Sequence, residues 1–548
     1  MSRERSLILY SRAFRVALAI AAVACVVPLW SGTLLPFSDM PEQVAVIATL
    51  RHWGDPAWSG AYVLDVGKSQ YVLYHLVGAL LAVPLGSAEL ANLVLLSAVG
   101  LSSPYAFRSL LRALGRDERL ALFAVPVFWS RPLVMGFLPY VAAVPFVLWG
   151  LALAVKQYEE PRRRRALGLA ALSVSLFFLH VDPFLLFVFA ALLMRLVLGV
   201  RDVVQSQGPP RSALLRSALA SARSLLWLAP ALGVAAAWAL LGSLRGSVEQ
   251  RNVRFQGATE LLREFPSWSH DVWRSHVDEG CSIVVWAAFA VLVVQRGLAA
   301  QDRWKTALAA APFAAAVLTY FALPYSVGAA VMLNVRIAVF VALFAPLLID
   351  RIEGLRSALP LAAVAIATLV LSGDALYEIR RVAAEDLGDV DRLLARIRPG
   401  SKVVTLPFHL TSPRVHWAPW TFLGSYARAR GGGVAAYSFT ELPHWPMHYR
   451  PEAAPPAKPM FWTFNACGYR NETDGAYYDY VITRGNVDPF RDSPPGPVFR
   501  RVDGERDLVL YERVPGATNP AWTVADLGPC ESRKSLELQD ARSFEVTP

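Results

Sequence analysis

The stretch "LLPFSDMPEQVAVIATLRHWGD" (34–55) follows directly on the first long apolar run of the chain. It places Asp39, Glu42, His52 and Asp55 within seventeen residues, at the mouth of a candidate membrane span. What acids at that mouth can do depends on which side of the membrane it faces. Topology therefore comes before chemistry.

Of 548 residues, 55% are hydrophobic and 18% charged, with a mean hydropathy of +0.38. A soluble chain would carry about 25% charged residues. Apolar runs long enough to cross a bilayer recur through the first 375 positions, without the weak alternation of an outer-membrane barrel. The composition therefore predicts a polytopic helical membrane protein. The net charge of +10 does not point to nucleic acid, because the arginines cluster at the ends of apolar runs, as topology determinants do.

Eleven spans are expected, at 14–35, 89–107, 120–137, 138–155, 166–182, 183–200, 224–243, 281–297, 306–323, 335–350 and 357–373. Arg3, Arg5, Arg12 and Arg15 precede the first. Alternate loops then carry Arg108 to Arg119, Lys156 with Arg162 to Arg165, and Arg195 to Arg223. Basic loops stay cytoplasmic, so the N-terminus is expected inside and Asp39 outside. The segment "YVLYHLVGALLAVPLG" (71–86) is apolar but short and begins with Tyr71, Tyr74 and His75. It is expected to lie in the outer interface, where aromatic side chains are favoured.

These assignments give a transmembrane domain over 1–374, with a first outer loop at 36–88 and a long outer loop at 244–280. Residues 375–548 then form a small extracytoplasmic α/β domain. In it "GDVDRLLARI" reads as a helix, "KVVTLPF" and "YDYVITRG" as strands, and "FRRVDGERDLVLYERV" as a hairpin turning at Asp503-Gly504. Cys467 and Cys530 both fall in this domain and could pair outside the cytoplasm.

Two readings of Asp39 compete. One is a capping box, with Asp39 as N-cap and Glu42 three residues on. The other makes Asp39 a carboxylate at the outer leaflet, a base for a hydroxyl acceptor. His180 and Asp182 lie at the outer end of the fifth span, and Arg336 follows Asn334 at the outer end of the tenth. A guanidinium there could hold a phosphate through two parallel hydrogen bonds, where the plainer reading is a snorkelling arginine. The stretch "SWSHDVWRSHVDEG" (267–280) has metal-capable residues in no compact spacing and reads as a solvated loop.

The order of parts resembles the GT-C superfamily of membrane glycosyltransferases: one span, an outer loop opening on an acid, then the aromatic-rich "SQYVLYHLVGALL". Further resemblance lies in "GFLPYVAAVPFVLWGLALA", "FFLHVDPFLLFVFAALL", "LNVRIAVFVALFAPLL" and "RVHWAPWTFLGSYARARGGG". The resemblance implies a polyprenyl-phosphate sugar donor and a catalytic Asp in the first extracytoplasmic loop, which matches Asp39. With that reading, Glu42 is expected as a second acid of the site, Arg336 as the donor-phosphate ligand, and His180, Asp182, His75 and Tyr74 as pocket residues. A divalent metal is compatible with this reading and not required by it, since Glu42 replaces the close second Asp of the common acidic pair.

Two other classes stay open. A transporter or flippase of a lipid-linked or anionic substrate would place ionisable groups near the bilayer midplane, and here they gather at the outer ends of spans. A catalytically silent scaffold of the same layout is the other. No "GxxxxGK[ST]" loop supports ATP-driven transport, and no CxxC or HExxH motif supports a zinc site.

Overall fold

A computed structural model describes residues 3–523 apart from 33, 66, 68, 208, 245–252, 297–301, 329, 351, 353–357, 437, 443–444, 459–461, 463–465, 486–487, 491–497, 518–520 and 522. The chain divides into two compact units. The first comprises 1–31, 67–74 and 93–378, and the second 32–66, 75–92 and 379–548. The first outer loop, drawn with the membrane domain in sequence, thus folds largely with the C-terminal region.

Among the described residues, eight helices are long and apolar enough to cross a bilayer: Arg12–Trp30, Ala88–Ala113, Leu138–Glu159, Val181–Val204, Arg211–Leu241, Val277–Gln295, Arg303–Ala322 and Ala358–Leu387. The chain is a multi-pass helical membrane protein. Three expected spans take other forms. Residues 166–182 fall on the shorter helix Arg163–Leu179, and 335–350 on Val335–Leu348.

The third, 120–137, is no single helix. It breaks into the 3-10 turns Glu118–Ala124 and Pro126–Phe128 and the short helix Arg131–Val134. Pro126 and Pro132 lack the N–H that would continue a helix, and Gly136 turns with φ +80°. Irregular backbone at such a place needs protein around it, and Leu120–Ser130 are buried without exception. The expected basic loop before 224 is also helical. Arg211, Arg216 and Arg223 sit on Pro210–Ser224, which joins Ala229–Leu244 through one 3-10 turn.

The strands are β1 Tyr62–Leu64, β2 Val253–Arg254, β3 Ser326–Val327, β4 Lys402–Pro407, β5 Val434–Ala435, β6 Met447–Tyr449, β7 Tyr480–Arg484, β8 Phe499–Glu505 and β9 Leu508–Arg513. In the first unit β2 pairs with β3. In the second unit a five-stranded sheet runs β5-β4-β7-β9-β8. Its β5, β4 and β7 are parallel, while β9 and β8 are antiparallel additions. Near-continuous apolar runs such as "KVVTLP" suit strands buried on both faces. Val404, Leu406, Phe422, Tyr469, Val481 and Tyr511 share that core.

The β8–β9 hairpin does not turn at Asp503-Gly504. Both residues stay in β8, opposite Leu510 and Val509, and the chain turns at Arg506-Asp507. A register shift between Arg501 and Asp503 absorbs one residue, and Arg506 takes the left-handed φ of 56°. Asp503 is held instead by Arg392 Nη1 at 2.7 and 2.8 Å.

Within the second unit β1, from the first outer loop, pairs with β6 from the tail. Gly432 and Gly433, at φ +77° and +83°, let the tail backbone approach the same loop. Gly433 N–H donates to Ala57 O at 2.8 Å, and the Tyr62 hydroxyl donates to Gly433 O at 2.9 Å.

Candidate active-site clusters

In the first unit the helix Arg163–Leu179 stops at His180, whose backbone is extended, and Val181–Val204 begins at once. His180 is its N-cap. The Asp182 N–H donates to His180 Nδ1 at 3.2 Å. Asp182 Oδ2 is 3.8 Å from Nδ1, beyond hydrogen-bond reach.

Arg336 comes to the same place on the turn Val335–Ile337, which Asn334 caps by accepting the Val335 N–H. Its Nη1 lies 3.3 Å from His180 Nε2 and 3.7 Å from Asp182 Oδ2. Its Nη2 donates to Val331 O at 2.8 Å, and the guanidinium stacks 4.0 Å over the Phe137 ring. Tyr140 donates its hydroxyl to Arg336 O at 2.7 Å. The guanidinium is thus held from three sides, and among the described residues its Nε has no hydrogen-bond partner. His180 and Asp182 are each 5% exposed.

Tyr71 and Tyr140 pack their rings against His180 at 4.8 and 5.3 Å. Burial, and then the Asp182 carboxylate, push the Tyr71 phenol above its usual range against the pull of Arg336, so it stays protonated. Tyr74 is buried in this unit, at 2% exposure. Sequence reasoning thus named three residues that do converge and missed Phe137 and Tyr140. Their signal lay in "GFLPYVAAVP", a turn glycine followed by aromatics at a helix start.

In the second unit Asp39 precedes the helix Met40–Arg51 but does not cap it through its side chain. The capping box fails for a physical reason. The helix is buried nearly all round, Met40 to Thr49, so its polar residues must find partners inside the unit. Glu42 is 0% exposed and reaches away from the N-terminus. Its Oε1 accepts from Ser425 Oγ; its Oε2 accepts from Ser438 Oγ at 2.7 Å and Phe439 N–H at 3.1 Å. Arg428 stands 3.9 Å from Oε2, donates to Ser438 Oγ at 3.0 Å and covers the Tyr62 ring at 4.4 Å. Both oxygens of Glu42 are thus engaged, which ties this helix to Ser425, Ser438 and Phe439. His75, at 0% exposure, is likewise engaged. Its Nε2 lies 2.6 Å from Gln43 Oε1, and its ring meets Trp445 edge-on at 5.3 Å.

Two other expectations concern ligation and cross-linking. Among the described residues no three His, Cys, Asp or Glu side chains are placed to hold a metal ion. In "SWSHDVWRSHVDEG", Asp278 instead accepts the Val272 and Trp273 N–H groups, and His270 is buried with Nδ1 2.7 Å from Ser269 Oγ. Cys467 is disulfide-bonded, Cys25 and Cys281 are free, and Cys530 lies outside the described residues.

No protein-family model matches the sequence, and no curated protein is significantly similar to it. Solved structures do match. The structure of ArnT from Cupriavidus metallidurans bound to undecaprenyl phosphate superposes with a TM-score of 0.53 at 13% identity. The match covers 92% of this chain and 98% of that one. The chain has the GT-C fold. The arabinofuranosyltransferase AftD from Mycobacteria is also similar, with a TM-score of 0.49 at 15% identity. That match covers 92% of this chain and 40% of AftD. Within the GT-C fold of this chain, Arg336, His180 and Asp182 form one cluster in the first unit, while Asp39, Glu42 and His75 belong to the second.

Proposed function

We propose that the protein is a glycosyltransferase that moves a sugar from a polyprenyl-phosphate donor to a hydroxyl of a lipid, glycan or protein acceptor. The reaction takes place at the outer face of a bacterial inner membrane, with the N-terminus cytoplasmic and the C-terminal domain periplasmic. The observation that carries this reading is the convergence at Arg336: its Nη1 lies 3.3 Å from His180 Nε2 and 3.7 Å from Asp182 Oδ2, and among the described residues its Nε has no hydrogen-bond partner. A lipid phosphate offers oxygens in the geometry a guanidinium reads.

In the reaction the acceptor oxygen attacks the anomeric carbon and the bond from that carbon to the phosphate oxygen breaks. Asp39 takes the acceptor proton, and the departing polyprenyl phosphate carries the new negative charge. Arg336, with His180 beside it, stabilises that charge as it develops, which lowers the barrier more than ground-state binding alone. Asp182 keeps the guanidinium aimed and compensates its charge.

Binding of undecaprenyl phosphate to the purified protein in nanodiscs tests the phosphate role. Arg336→Ala is expected to weaken binding about 10- to 100-fold, the weight of a charge-assisted pair of hydrogen bonds. Unchanged affinity would remove Arg336 from the site.

A further inference from the structure

Residues on both sides of Asp39 are bonded to residues of the C-terminal region. Pro36 O accepts the Trp417 indole N–H at 2.6 Å, and Ser38 Oγ donates to Ala418 O at 2.9 Å. Three residues beyond Asp39, Glu42 is bound by Ser425, Ser438 and the Phe439 N–H. Positions 36, 38 and 42 are therefore all tied to 417–439, on both sides of Asp39 in the chain. These anchors are buried: Trp417 is 2% exposed, Ser38 3%, and Ser425 and Ser438 1% and 0%. A solvated loop tip needs no such frame. A carboxylate that must meet a reacting atom does, because a displacement of about 1 Å costs about 100-fold in rate.

We infer that the C-terminal segment 417–439 is a positioning element for Asp39, acting through Glu42 and Trp417. Glu42 is a positioning residue and not a second catalytic acid. Its carboxylate receives only donors, so a glutamine there turns an amide N–H toward the Ser438 hydroxyl or the Phe439 N–H. The Arg428 guanidinium, 1% exposed, then loses the anion it faces. The first turn of Met40–Arg51 shifts in response, and Asp39 with it. Trp417→Phe keeps an aromatic ring, smaller than the indole, and removes the N–H that fixes Pro36. The inference rests on the proposal that Asp39 is the base.

The test is single-turnover sugar transfer by the full-length protein in nanodiscs, over a panel of undecaprenyl-phosphate pentoses and hexoses. Enzyme is in excess, so that amplitude reports the folded, competent fraction and the rate constant reports the chemical step. Glu42→Gln is expected to lower the rate constant at least about tenfold, and Trp417→Phe about three- to tenfold, with undecaprenyl phosphate affinity within about twofold of wild type. A purely structural role would lower the amplitude and leave the rate constant alone. Wild-type rate constants in both variants, beside an inactive Asp39→Asn, would overturn the inference. If Glu42→Gln does not fold, Trp417→Phe alone decides. A fully active Asp39→Asn would instead overturn the proposed base and leave the anchoring contacts to be explained as architecture.

Discussion

His180 Nε2 lies 3.3 Å from Arg336 Nη1, and Asp182 Oδ2 lies 3.7 Å from the same nitrogen. The guanidinium's position over the Phe137 ring and its Nη2 bond to Val331 O leave it little freedom to turn away from this cluster.

Arg336→Lys should not restore what Arg336→Ala loses. A lysine keeps the charge but has neither the planar fork nor the flat face that lies over Phe137. The expected undecaprenyl phosphate affinity is within about threefold of the alanine variant. Affinity equal to wild type would mean that charge alone matters there.

His180→Gln retains an N–H near the position of Nε2, whereas His180→Phe retains only the ring contacts with Tyr71 and Tyr140. The phenylalanine variant is expected to lose about tenfold or more in donor kcat/KM, and the glutamine variant less, as one hydrogen bond to a charged group is worth about 1.5–3 kcal/mol. Equal losses would assign His180 to packing.

Stability should fall in acid through His270. Burial lowers its pKa from 6.5 to about 4, so the folded state favours the neutral ring. A group with a depressed folded pKa binds fewer protons folded than unfolded. Its contribution is complete above about pH 6.5 and is lost as pH falls towards 4, by an amount on the order of 3 kcal/mol. Thermal unfolding in nanodiscs between pH 7 and 4 checks this. His270→Phe should flatten the pH dependence, and an unchanged slope would show that other groups set it.

Thiol titration of the denatured, unreduced protein should find two free thiols, Cys25 and Cys281. Cys530→Ser should raise that number to three by releasing Cys467. Two free thiols in that variant would mean that Cys467 pairs elsewhere.

Much of the architecture could be read from one-dimensional pattern, because apolar run length and strand alternation are local properties. Eight of the eleven expected spans, β4 and β7 fall where those patterns place them. The failures have a common cause in tertiary partners. The run 120–137 has the composition of a span, yet Pro126, Pro132 and buried surroundings divide it. Asp39 and Glu42 have the spacing of a capping box, but Ser425 and Ser438, nearly four hundred residues away, claim the glutamate. The turn of β8–β9 slides past Asp503-Gly504 because Arg392 captures Asp503. His180, Asp182 and Arg336 were legible because ionisable groups at span ends are costly unless they serve a purpose. That they meet could be seen only in three dimensions.

The account rests most directly on Asp39. The decisive measurement is single-turnover release of undecaprenyl phosphate from undecaprenyl-phosphate sugars by purified protein in nanodiscs, wild type beside Asp39→Asn. The account predicts release by the wild type and a rate constant about 100- to 10,000-fold lower in the variant, the range of a general base. Equal rates in the two proteins, or no release by the wild type from any donor of the panel, would contradict it.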